Sequence, residues 1–265
     1  MIINGTDISD FGAIVQNRRS SLAGANIRQQ HKGAPGAWRN IRIGRNAPNP
    51  LLLTCNGFIE ASTHTLLNTA IDEFKWLTDP NSELTVRWSD MTDREWLGYR
   101  QSLDIQGFVP DWIQKARRFT LICFCADPRA RDQSATSSNT SGTAPLVRTV
   151  NLGTAPHPIT ITITGDVSNF LVNPVVNYRD SGDVTQESFA IADTLDDTET
   201  YVINTELFTV TKNGASATSN FSGTFFDCYP SDGGSSYPPS TCSVQLTADS
   251  GDADLFQVDY RRRYW

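Results

Sequence analysis

Strict alternation of apolar and polar side chains runs through Pro158-Ile159-Thr160-Ile161-Thr162-Ile163-Thr164, the period of a strand with one face buried. Similar runs recur at residues 172–177, 187–192, 199–204, 207–211, 243–247 and 256–264. Turn sequences separate them: Asp180-Ser181-Gly182-Asp183, residues 193–197, and Lys212-Asn213-Gly214. Asn213-Gly214 is the strongest hairpin cue, because tight hairpin turns need residues that tolerate positive φ. About seven or eight short strands in roughly 110 residues predict a β-sandwich or barrel for the C-terminal half. The N-terminal half is mixed. Residues 2–8, 11–15, 51–55, 84–88, 96–103 and 118–126 read as strands, and residues 27–31 and 38–43 as a hairpin around Gly33-Ala34-Pro35-Gly36. One segment changes period: Leu67, Ala70, Ile71, Phe74 and Leu77 fall on a single helical face. Ser62 or Thr63 can cap its start and Asp79-Pro80 lies past its end, which predicts a helix over about residues 63–77.

Composition and charge divide the chain further. Its 265 residues, 38% hydrophobic and 10% aromatic, suffice for one large or two medium domains. Residues 1–150 hold 17 basic and 14 acidic side chains, and residues 151–265 hold five and 15; a half of +3 meets a half of −10. Between them Ser134, Ser137, Ser138, Thr140, Ser141, Gly142 and Thr143 crowd together. With no large apolar residue in that run, a linker is predicted at 135–148, between domains at 1–134 and 149–265. From Asp10 to Glu60 no carboxylate intervenes, yet Arg18, Arg19, Arg28, Lys32, Arg39, Arg42 and Arg45 do. Such asymmetry bears on association more than on fold. A two-stranded hairpin is marginal alone, so an arm at about residues 24–46 should dock on a neighbour and order there. Arg forks suit carboxylates across such a contact. Arg28, Lys32, Trp38, Arg39, Arg42 and Arg45 are therefore the candidate subunit-interface residues. A solvated loop is the plain alternative. Nucleic-acid binding is the other, but Trp38 is the one large aromatic among these charges, which is thin for base stacking.

Chemistry is scarce. His31, His64 and His157 lack an i+4 partner or a cysteine pair at metal-ligand spacing. Neither a Gly-x-Ser-x-Gly elbow nor a phosphate-binding loop occurs. We expect no enzyme activity, no cofactor and no metal; the acidic groups Asp90/Asp93/Glu95 and Asp193/Asp196/Asp197/Glu199 read as solvated turns. Cys123 and Cys125 read as a buried pair of small apolar side chains. Cys228 and Cys242 flank a Gly/Ser/Pro loop and could bond across it. Tyr229 and Tyr237 in that loop, residues 227–240, are the candidates for an exposed binding surface. Neither a signal-peptide pattern nor a run of about 20 apolar residues is present, so a soluble protein made in a cytoplasm is expected.

Taken in order, these features resemble the distal tail protein (Dit) family of phages with long non-contractile tails. The residues that carry the resemblance are Asn4-Gly5-Thr6-Asp7-Ile8-Ser9-Asp10-Phe11-Gly12, the basic arm, Asn56-Gly57-Phe58-Ile59 with the helix, and Phe119-Thr120-Leu121-Ile122-Cys123-Phe124-Cys125-Ala126-Asp127-Pro128. In the second half they are Asn151-Leu152-Gly153-Thr154-Ala155-Pro156-His157-Pro158, Asn173-Pro174, Asn213-Gly214 and Val258-Asp259-Tyr260-Arg261-Arg262-Arg263-Tyr264. The loop at 227–240 is longer than the family's usual turn. The resemblance implies a mostly β, structural protein. Its first domain, β-sandwich-like with the arm and one helix, would form a homohexameric ring continuing the tail tube. Its second would be a galectin-like β-sandwich. Implied partners are further copies of the chain, the tail tube protein, the tail-tip hub protein, and tail fibres or receptor-binding proteins. DNA would pass through the ring without specific binding, since phosphate-neutralising contacts would slow it. The implied location is the virion tail tip, reached by assembly in the host cytoplasm without membrane insertion. A carbohydrate-binding, adhesin-type protein is the second reading, although five of the six tryptophans lie in the first half. A tail-tube subunit, which would stack into polymers, is the third.

Overall fold

Alternation in the first half folds into one long antiparallel arrangement, seen in a computed structural model that describes residues 1–20, 27–28, 31–32, 41–42, 47–48, 50–106, 115–229 and 241–264. The chain divides into two units, residues 1–130 and 131–264. Unit 1 contains β1 (Ile2–Ile3), β2 (Thr6–Asp7), a 3-10 turn (Ile8–Phe11), β3 (Ala13–Ser20), β4 (Ile27–Arg28), β5 (His31–Lys32), β6 (Ile41–Arg42), β7 (Ala47–Pro48), β8 (Leu51–Glu60), α1 (His64–Leu77), β9 (Leu84–Arg87), β10 (Arg94–Ile105) and β11 (Ala116–Cys125). The strand order is β2-β1-β9-β10-β11-β8-β3. β10 serves two neighbours: Trp96, Leu97 and Gly98 pair with β9, and Tyr99 onward pairs with β11 across a bulge after Arg100.

The predicted helix is present, and its face is the predicted one. Thr63 caps it by accepting from the Leu66 amide at 3.2 Å. Leu67, Ala70, Ile71, Phe74 and Leu77 are buried, and the Phe74 ring lies 4.9 Å from Phe119 of β11. Burying side chains of this size contributes about 2 kcal/mol each. The helix end is tied down by Arg100, which donates to the Lys75 carbonyl at 3.4 Å and the Thr78 hydroxyl at 3.3 Å. The Asn4-to-Gly12 motif proves to be a turn: Asp7 caps the 3-10 segment through the Ser9 amide, and Gly12 closes it at φ 66°.

Unit 2 is a β-sandwich. Its strands are β12 (Ala130–Asp132, which begins on the last residue of unit 1), β13 (Thr136–Thr143), β14 (Leu146–Asn151), β15 (Ile159–Gly165), β16 (Leu171–Val172), β17 (Val175–Arg179), β18 (Thr185–Ile191), β19 (Thr194–Leu195), β20 (Thr200–Asn204), β21 (Thr209–Lys212), β22 (Ala215–Ser216), β23 (Phe221–Gly223), β24 (Thr241–Thr247), β25 (Asp252–Tyr260) and β26 (Arg263–Tyr264). One sheet runs β13-β25-β15-β20-β21-β22 and the other β14-β24-β17-β18-β23. Between them lies a single core that includes Ile161, Ile163, Tyr201, Phe256, Tyr178, Phe189, Val244 and Leu246. The Asn213-Gly214 hairpin forms as predicted, with φ of 49° and 80° and the Lys212–Ala215 pair closing it.

Two expectations are corrected. The segment at 135–148 is no linker: residues 136–143 form β13 along β25, and residues 146–151 form β14 along β24. β13 is an edge strand with little of it buried, so its ladder hydrogen bonds, and not apolar burial, hold its Ser and Thr residues. The unit boundary accordingly falls at 130/131, ahead of residue 134. The run at 207–211 likewise begins as a turn, with the strand starting at Thr209.

Candidate assembly surfaces

The basic arm grows out of the edge of unit 1. β3 and β8 pair antiparallel up to Ser20–Leu53, and the same pairing sense resumes in Ile27–Pro48 and Arg28–Ala47, then in His31–Arg42 and Lys32–Ile41. A hairpin that starts inside the sheet therefore continues past its last sheet pair. Of the candidate interface residues, Arg28, Lys32 and Arg42 stand on these paired strands, while Trp38, Arg39 and Arg45 lie outside the described residues, as does most of the 24–46 segment expected to order on a neighbour. At the arm's root Arg18 makes a two-pronged ion pair with Asp90 and lies 5.2 Å from the Trp88 ring centre. The hydrogen bonds from Arg18 hold the Asp90 carboxyl below the usual carboxylate range.

On the sheet face turned away from α1, three large apolar side chains stand in register on adjacent strands. Tyr99 of β10 is opposite Phe124 of β11, which is opposite Leu52 of β8; they are 45%, 37% and 41% exposed. Isolated exposed hydrophobics are ordinary; three on adjacent strands form a small contiguous apolar row. Leu52 follows the arm's return strand within a few residues. On the helix, Trp76 is 81% exposed.

Several charged side chains of unit 2 pair within the unit. Lys212 bridges Asp193 at 2.9 Å and Glu199 at 2.6 Å, and the Tyr201 hydroxyl donates to Asp193 at 2.7 Å. The acidic group at 193–199 thus surrounds a lysine; among the described residues no cluster could hold a metal ion. Near the C-terminus Arg262 pairs with Asp132 at 2.7 Å, Tyr264 donates to the same carboxylate at 3.0 Å, and Arg263 pairs with Glu206. The five cysteines are buried free thiols, Cys228 and Cys242 included. Burial pushes Cys55, Cys123 and Cys125 up to about 12, so they stay protonated at neutral pH and chemically quiet. Tyr229 is half-buried, its ring 5.1 Å from Tyr178, and its carbonyl accepts from the Tyr178 hydroxyl at 2.8 Å; it packs on the core and is no open platform. Tyr237 lies outside the described residues. No helix of the described residues is long and apolar enough to cross a membrane.

No protein-family model and no curated protein matches this sequence. Among solved structures, the Dit (gp 19.1) protein of phage SPP1, a paradigm of the hub adsorption apparatus in phages infecting Gram-positive bacteria, superposes with a TM-score of 0.69 at 13% identity, over 100% of this chain and 98% of that one. The chain has the Dit fold. The phage P2 baseplate in its activated conformation also matches, at a TM-score of 0.45 and 7% identity over 97% of this chain and 92% of that one.

Within this Dit fold, sequence reading missed the row Tyr99–Phe124–Leu52. A signal was available: Phe124 and Leu52 occupy the outward phase of strands whose inward phase is already apolar.

Proposed function

We propose that the chain is a structural distal tail protein of a phage. Unit 1 assembles into a homohexameric ring that joins the tail tube on one side to the tail-tip hub on the other. Unit 2, read as a galectin-like sandwich, serves fibres or receptor-binding proteins at the periphery. The observation that carries this reading is the full-length match to the SPP1 Dit fold, from the first residue to the last described strand. Two features of unit 1 support it. The sheet ends in two different strands, β2 and β3, so contact between copies through these edges is head-to-tail, the arrangement that closes rings. The arm leaves beside β3 carrying cations into an acidic molecule of net −7.

Light scattering should give six times the 29.3 kDa chain mass, and negative-stain images should show discrete rings. Filaments would support the tube-subunit reading instead. Reversing Arg39, Arg42 and Arg45 together to Glu should lower assembly at unchanged fold by circular dichroism. Wild-type ring yield from that variant overturns the arm's role.

A further inference from the structure

One side of the unit 2 sandwich is open. Its two sheets end there in β13 and β14, which are eight and six residues long, and end elsewhere in β22 and β23, which have two and three. Short edge strands are one way a sheet avoids pairing with another chain; charges, proline and bulges are others. β13 contains neither a charge nor a proline, and residues 133–147 as a whole carry no charge. Its bulge falls late, between Thr140 and Gly142. Residues 136–140 therefore form a regular ladder with β25 on one edge and, among the described residues, with nothing on the other.

Beneath this edge lies a cation without an anion. Thr136, Ser138 and Thr140 stand opposite the buried Tyr260, Val258 and Phe256, so that phase of β13 faces the core. Arg148, only 9% exposed, reaches it from β14 and donates to the Ser138 hydroxyl at 3.3 Å and the Phe256 carbonyl at 3.2 Å. Both acceptors are neutral, and among the described residues the Arg148 Nε is buried without a partner. Burial pulls the guanidinium below its ordinary range, with no carboxylate beside it to offset the cost. Buried charges are normally paired, and the guanidinium fork matches a carboxylate. A strand laid along the free edge of β13 would continue the sheet about 4.8 Å away. Its core-facing side chains would then stand next to Ser138 and Thr140, beside Arg148.

We infer that the free edge of β13 is a strand-addition site for an extended segment of a partner protein, one that carries a carboxylate on its core-facing side to meet Arg148. Main-chain hydrogen bonds supply the affinity and the carboxylate sets the register. The site rests on the reading of unit 2 as the partner-bearing unit, and it needs no ring. The probe is a fluorescently labelled heptapeptide, Thr-Val-Thr-Glu-Thr-Val-Thr, titrated with the full-length protein and followed by anisotropy. Saturable binding is expected, weakened roughly tenfold when the peptide's Glu is replaced by Gln. N-methylation of alternate amides along one edge of the peptide should abolish binding, and along the other edge should not, because an added strand bonds through one edge. Hydrogen exchange should slow at residues 136–143 in the complex. Arg148→Met should weaken binding as much as the Gln peptide does, yet leave the melting temperature unchanged or higher, since a hydrophobe replaces an unpaired buried charge. The peptide series decides the matter on the wild-type protein, whatever that variant does to the fold. No binding by the wild type, equal binding of the Glu and Gln peptides, or binding that survives N-methylation of either edge overturns the site. Protection elsewhere in unit 2 overturns this edge but not the unit's role, and protection in unit 1 overturns both. Self-association that is lost in Arg148→Met would put a second copy on the edge and also overturn the site. Light scattering on the same samples separates the ring: rings that ignore the peptide sink this site alone, and a chain that binds peptide without forming rings sinks the ring alone.

Discussion

At Gly57 one missing carbon lets three elements meet. A Cβ built there would lie 2.1 Å from the Ile14 carbonyl oxygen and 2.9 Å from the Phe119 ring. That ring is the one α1 packs on through Phe74, so the glycine in Asn56-Gly57-Phe58 sets how closely β3, β8 and β11 approach beneath the helix. Backbone cannot yield as a side chain can. Gly57→Ala should therefore cost about 2–3 kcal/mol, read as a lower urea midpoint at unchanged m-value; a midpoint within error of wild type would show that the strands shift freely. Arg148 illustrates the opposite solution. It takes an inward position on β14, and instead of packing as a hydrophobe it spans the two sheets, donating to the Ser138 hydroxyl at 3.3 Å and the Phe256 carbonyl at 3.2 Å.

Among the elements, legibility followed how much of each was written in local pattern. α1 and β15 were readable because one face of each is wholly apolar, and period alone separates a helix from a strand. The antiparallel pairing of His31-Lys32 with Ile41-Arg42 agrees with the hairpin expected from the turn residues between strand-like runs. β13 was not readable: Ser137, Ser138 and Thr140 look like a linker unless β25 is known to lie beside them, and pairing with a strand more than a hundred residues away leaves no local trace. Leu207 and Phe208 misled for a related reason, since an apolar pair in an ordered turn has the same composition as one in a core strand. The acidic group at 193–199 could be read as a turn, but its lysine could not, because Lys212 reaches it from β21. For Asp193, burial opposes ionisation, yet hydrogen bonds from Lys212 and Tyr201 outweigh it and hold the carboxyl below its ordinary 3.8. For Lys212, burial again opposes, and Glu199 and Asp193 outweigh it to hold the ammonium above 10.5. A depressed acid gives stability that is present above its unfolded pKa and lost as pH falls through its folded one; a raised base gives stability that is present below 10.5 and lost above. Lys212→Met should thus lower stability by about 1–2 kcal/mol at neutral pH. Its deficit against wild type should close as pH falls below 3.8. Melting curves for both proteins across the acid range test this, and a deficit that persists undiminished in acid contradicts it.

For the whole molecule, charge is divided between the two halves of the chain. The half that carries the arm is +3 and the half that carries most of the sandwich is −10; if copies meet through unit 1 as proposed, the cationic arms would pair with carboxylates of a neighbour, and salt should loosen whatever the arm holds. The row Tyr99–Phe124–Leu52 works by a different force. Apolar burial survives salt, and its loss should be felt most when copies meet, because these side chains are only partly buried in the single chain. Replacing Leu52 and Phe124 together by Ser should therefore leave chain stability within about 1 kcal/mol of wild type. Ring formation should weaken by roughly tenfold or more, at low and high salt alike, since each lost side chain removes about 1–2 kcal/mol of interface burial. Reversing the arm arginines should weaken rings most at low salt, where their attraction is least screened. Sedimentation of both variants across a salt series separates the two contributions. Equal ring stability in the serine variant and wild type would mean that this face looks onto solvent or another tail component, and that the arm and sheet edges close the ring without it.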